Sequence, residues 1–128
     1  MIRDIKFRAW IKEQKQMVEV IELNFHQATI ASIYDDYTNG EQEWDLEDFK
    51  NVELMQYVGL KDKDGTEIYE GDILFDESDE HTGLVNFNEG GFAFSFENIT
   101  EPLANNHWCM EVIGNIYENP ELLQGENE

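Results

Sequence analysis

Phe92, Phe94 and Phe96 recur at period two, immediately after Asn88-Glu89-Gly90-Gly91. Alternation of this kind sets all three rings on one face of a strand, whereas a helix would scatter them around its axis. Gly83 to Phe87 precedes the turn residues and supplies the partner strand. This hairpin commits the chain to a β-sheet with at least one buried face.

The same signals recur along the chain. Ile5 to Ile11 and Met17 to Phe25 read as strands joined by the polar run Lys12 to Gln16, and they pair as an antiparallel hairpin. Residues 24–33 fit a strand or a short helix equally well. Asp35 to Lys50 reads as an excursion, with a turn at Asn39-Gly40. An acidic run carrying Trp44, Leu46 and Phe49 follows, and large aromatics favour docking of those three side chains on the core. The alternative use of aromatic residues in an acidic loop is to bind a partner.

Val52 to Leu60 is a further strand, and Lys61-Asp62-Lys63-Asp64-Gly65 a tight turn with Gly65 at positive φ. Glu67 to Tyr69 and Ile73 to Phe75 are strands on either side of a corner at Gly71. Residues 97–107 form a longer loop with a helical turn near Leu103, and Trp108 to Ile113 is the last strand. Asn119-Pro120-Glu121 supplies an N-cap, a first-turn proline and an acid for a short terminal helix, with Gln124 to Glu128 frayed. The expected fold is therefore mainly β (α+β minor): an N-terminal β-hairpin plus a small, strongly bent β-barrel-like sheet over about Val52 to Ile116, and a short C-terminal helix. A single domain over 1–128 is expected, with sub-lobes 1–50 and 51–123.

Three blocks carry a family resemblance. Leu54 to Ile73, which includes Tyr57-Val58-Gly59-Leu60-Lys61-Asp62-Lys63-Asp64-Gly65 and Ile68-Tyr69-Glu70-Gly71-Asp72, resembles the YopX family of phage and prophage proteins. Ile5-Lys6-Phe7-Arg8-Ala9-Trp10 resembles that family's opening strand. Glu111 to Leu122, with Gly114-Asn115-Ile116-Tyr117, resembles its closing motif. The resemblance implies a β-rich fold and a phage or prophage origin. It implies no established activity and no catalytic residue to carry onto this chain.

Charge then restricts function. All eight Lys and Arg lie at or before Lys63, while sixteen of the 29 acids follow it, within a formal net charge of −21. The second half therefore has no cation with which to hold a phosphate backbone, although Phe92, Phe94 and Phe96 are rings of the kind that stack on bases. The basic residues Arg3, Lys6, Arg8, Lys12 and Lys15 gather on or near the first hairpin, where they suit the acidic surface of a second copy.

No constellation for catalysis emerges. His107 and Cys109 are half of a zinc-type set without the other half. The acids of the 76–80 loop lack the spacing of a calcium loop. Asn98-Ile99-Thr100 has no use without secretion. The start of the chain lacks the apolar run of a signal peptide, and no stretch is apolar enough to span a membrane. Cys109 is the sole cysteine.

The expected protein is thus not an enzyme and has no cofactor or metal. It resides in the cytoplasm of a bacterial host cell. It acts through contacts with a protein partner, for which the acidic surface suits a basic one, and an acidic surface imitating nucleic acid is the sharper form of this reading. The residues assigned to that surface are Trp44, Asp45, Glu47, Asp48, Asp76, Glu77, Asp79 and Glu80. A structural homo-oligomer is the alternative, and a metal-dependent enzyme stands third.

Overall fold

The computed structural model describes residues 4–36 and 41–124. The chain divides into two compact units, and the division falls inside one strand, between Gln56 and Tyr57.

The first unit is a meander. β1 (Phe7–Ile11), β2 (Gln16–Asn24), β3 (Thr29–Asp36) and β4 (Glu41–Asp48) are followed by a 3-10 turn at Phe49–Asn51 and by the start of β5 (Val52–Lys61). The strand order is β4-β3-β2-β1-β5, antiparallel throughout. Ala9 stands opposite Val18 on one side and Leu54 on the other, so β1 is an interior strand. Alternation in β1 sends Ala9 and Ile11 into a core shared with Ile30 and Val52. Val18, Val20, Leu23, Phe49 and Leu54 pack around it. The first hairpin forms as its pattern predicts, closed by the Lys15 N–H donating to the Ile11 carbonyl at 2.8 Å.

Residues 24–33, which fit either a strand or a short helix, contain the start of β3, a strand. One expectation changes in this unit. The excursion of residues 35–50 is mostly β4, paired with β3 from Thr29↔Asp48 to Asp36↔Glu41. Backbone pairing absorbs a stretch whose acidity made it read as a loop. The predicted Asn39-Gly40 turn lies outside the described residues.

In the second unit the remainder of β5 pairs with β6 (Glu67–Tyr69). β7 (Asp72–Asp76), β8 (His81–Asn88), β9 (Gly91–Phe96), β10 (Ile99–Pro102) and β11 (Met110–Asn115) form a five-stranded antiparallel sheet in the order β10-β9-β8-β7-β11. The β8–β9 turn has positive φ at Glu89 (50°) and Gly90 (85°), the two-residue geometry that matches strand twist. Phe94 and Phe96 are buried among Val58, Ile68, Leu74, Val85, Leu103 and Met110, with Phe92 packed at the margin. The three rings share a face, as their spacing requires, and that face is core. They are not a stacking platform.

This sheet is open. Closure would join its edges β10 and β11, but β10 has four residues and ends at Pro102, which has no N–H to offer a ladder. Of the open and closed forms that the strand spacing allows, the sheet takes the open one. Leu103–Asn105 forms the expected helical turn.

Trp108 lies in a second 3-10 turn, His107–Cys109, and the last strand begins only at Met110. The terminal helix α1 spans Glu121–Gln124. The Asn119 carbonyl accepts the Leu122 N–H at 3.1 Å at the start of this turn. Its Oδ1 accepts the Asn115 N–H at 3.2 Å, tying the chain back to the end of β11.

Candidate functional site

Among the described residues β4 is the outer strand of its sheet, with β3 as its only paired strand. Its described side chains alternate. Asp45 and Glu47 stand opposite Ser32 and Ile30, and Ile30 belongs to the core. Trp44 and Leu46 stand opposite Ile33 and Ala31 on the other face, where they are 61% and 68% exposed. The expected docking of Trp44 and Leu46 on the core therefore does not occur.

Period two sends these two side chains to the face opposite that of Ile30. Phe49, just past the strand, does reach the core, and it meets Phe25 edge to face at 6.0 Å. Asp45 and Asp48 are exposed and Glu47 partly so. Among the described residues none of the three meets a base.

The loop after β7 divides differently. Asp76 is 2% exposed, so it displays no charge. Its Oδ1 accepts the Ser78 N–H at 2.9 Å, and the Cys109 thiol lies 3.6 Å from the same oxygen. Its place in the predicted interaction surface is thus corrected, because the carboxylate serves the turn. Glu77 accepts a hydrogen bond from the Lys63 ammonium, an ion pair that raises the lysine's pKa. Asp79 and Glu80 alone in this loop are open acids.

Three acids lie inside the second unit, Asp62, Asp72 and Asp76, and each accepts backbone N–H groups at a turn. Asp62 accepts three, from Asp64, Thr66 and Val112, each at 2.9 Å. Burial pushes its carboxyl pKa up. The three N–H donors, with the Lys63 charge nearby, outweigh that and hold it below its ordinary 3.8. In the sequence, residues 61–65 show only a turn. An aspartate three residues before a turn glycine was the available signal, but its reach to Val112 has no local trace.

His107 and Cys109 do not converge on a common point. The His107 Nδ1 lies 2.7 Å from the Lys61 carbonyl and so carries the proton. The Cys109 thiol donates to the Asn106 carbonyl at 3.1 Å. Among the described residues no three His, Cys, Asp or Glu side chains gather as metal ligands would.

The described residues form shallow clefts. One of about 320 Å³ lies at the β8–β9 turn, lined by Asn88, Glu89, Phe92 and Thr100. Another of about 200 Å³ lies beside Phe7, Val20 and Leu23. Neither is lined by paired carboxylates or a histidine. In the first hairpin, Lys12 meets the Lys50 carbonyl at 3.4 Å and Glu53 at 3.3 Å, while Lys6 and Arg8 make contacts of their own. Among the described residues no helix is long and apolar enough to cross a membrane.

These features define a two-sheet antiparallel β protein in which some described acids tie turns together, Glu53 and Glu77 pair with lysines, and others face solvent. The YopX protein family model matches residues 6–124, and the chain belongs to that family. A solved structure, that of protein EF1440 from Enterococcus faecalis, is similar with a TM-score of 0.68. The two chains share 30% identity, and the match covers 95% of this chain and 99% of the other. No curated protein matches the chain.

Proposed function

We propose that this protein is a phage or prophage accessory factor that acts without catalysis, through contacts of its acidic surface with a protein partner. The observation that carries the reading is β4, where Trp44 and Leu46 stand exposed on a strand whose described acids find no base. Large apolar side chains in solvent at the edge of a sheet suit an interface, with the aromatic group as its anchor. The acids select a basic partner and steer its approach. In the narrower form of this reading, the negative surface occupies a site that its partner otherwise uses for nucleic acid.

The test is capture of proteins from a bacterial lysate on the immobilised protein at low ionic strength, followed by salt elution. A basic protein retained and then released by salt supports the reading. Recovery of none counts against it. Displacement of that protein by duplex DNA supports the narrower form.

A second reading, a structural homo-oligomer, draws on the exposed Phe87, Ile99 and Trp108 of the second unit, which another copy would cover. A salt-independent monomer in native mass measurements would remove it.

A further inference from the structure

The described sheets end in the strands β4, β6, β10 and β11, and the outer edge of β11 is already engaged, its Met110 carbonyl by the Lys63 N–H and its Val112 N–H by Asp62. Three are protected by their own geometry. β6 has three residues, β10 has four and ends in Pro102, and β11 is irregular between Val112 and Gly114. Shortness, proline and bulges are the devices by which edge strands avoid pairing with other chains.

β4 has none of them. It runs eight residues in unbroken register with β3, without proline or glycine. Its only protection is charge, five acids and no base in Glu41-Gln42-Glu43-Trp44-Asp45-Leu46-Glu47-Asp48. Among the described residues, no backbone hydrogen bond links β4 to anything but β3.

Charge of one sign is selective protection. A second β4 laid against the first would set acids against acids, which opposes self-pairing. Among the described residues the other end strands supply no cations, because β6, β10 and β11 contain no Lys or Arg. The basic strand β1 is held between β2 and β5, with both edges used. The occupant that fits must therefore come from another protein.

We infer that β4 is a strand-addition site for an extended segment of a partner protein in which Lys or Arg alternates with apolar residues. Apolar side chains of the added strand lie beside Trp44 and Leu46, while its cations lie beside Asp45 and Glu47. Main-chain hydrogen bonds to the open edge supply affinity, and the alternation supplies specificity. This rests on the proposed protein-binding role and specifies how the partner is held.

The probe is a synthetic peptide of about nine residues alternating lysine with valine, compared with the same residues in block order and with versions N-methylated at alternate positions. Methylation removes ladder donors but keeps the charge. Binding is read by anisotropy of the labelled peptide, and hydrogen exchange of the amides of residues 41–48 is followed by NMR.

The alternating peptide is expected to bind and to slow exchange in β4. Block order, N-methylation of one set of positions, or the Trp44→Ser/Leu46→Ser variant each weakens binding at least about tenfold. Equal binding of block-order and methylated peptides, without protection of β4, overturns strand addition while leaving an acidic contact surface intact. Absence of binding by every cationic peptide at low salt overturns both readings. Self-association that protects β4 makes a second copy the occupant and also overturns the inference.

Discussion

The Asp62 carboxylate accepts the Val112 N–H at 2.9 Å, joining the turn after β5 to the middle of β11. The same carboxylate accepts the N–H groups of Asp64 and Thr66, so one buried side chain shapes its own turn and anchors a distant strand. Replacing Asp62 with Ala leaves three backbone donors without this acceptor and is expected to destabilise the fold by about 2–4 kcal/mol, measured by urea denaturation. Asp62→Asn keeps one acceptor oxygen and should cost less. Equal stability of both variants with the parent would refute the anchoring role.

Acid pH probes the same group. The folded Asp62 pKa lies below 3.8, so its contribution is fully present above that value. It is lost as pH falls through the depressed folded pKa, where the folded state must take up the proton. Stability should therefore decline below pH 3.8, and the decline should be shallower in Asp62→Asn. Parallel acid limbs for the two proteins would contradict this.

Gly83 lies where β8 crosses the Phe94 ring. A Cβ there would stand 2.5 Å from the Ser95 carbonyl oxygen and 2.6 Å from Phe94 Cε2. Backbone cannot retreat as a flexible side chain can, so Gly83→Ala is expected to cost about 1–3 kcal/mol. An unchanged thermal midpoint would show that the sheet yields there.

Exposure and burial should separate the aromatics. Trp44→Ser and Leu46→Ser alter side chains open to solvent, and their effect on folding should stay within about 0.5 kcal/mol. Phe94→Ala empties a fully buried site and should cost about 3–5 kcal/mol. A large loss of stability from Trp44→Ser would mean that this residue belongs to the fold and not to an interface.

Asn115 organises the closing turn. Its Oδ1 accepts the N–H groups of Tyr117 and Glu118 at 3.0 and 2.8 Å, and its amide donates to Glu118 at 2.9 Å. Asn115→Ala is expected to lose about 1–3 kcal/mol. Faster amide exchange should be confined to residues 115–123, and exchange unchanged there would refute the assignment.

Much of the second unit is legible in sequence because its signals are local. Phe92, Phe94 and Phe96 declare a strand face at period two, and Glu89-Gly90 declares the turn before it. β4 was obscured because acids dominate its composition and mask an alternation that only the pairing with β3 makes plain. Asn119 carries a second role that its place before Glu121 does not reveal, since its Oδ1 also accepts the Asn115 N–H at the end of a strand.

The candidate surface divided along the same line. Acidic runs are readable, but which acid faces water is not. Asp76 and Asp79 look alike in sequence, yet one is 2% exposed and the other open. Asp76 is drawn in because the turn it begins needs an acceptor for the Ser78 N–H.

By itself the sequence determined the β class, most strand positions, the family and the one-sided charge, since each rests on residue type and near spacing. Tertiary structure alone decided that the second sheet stays open, that Asp62 and Asp76 turn inward, and that Trp44 and Leu46 face solvent. Burial depends on which strand lies across the sheet, and those neighbours come from distant parts of the chain.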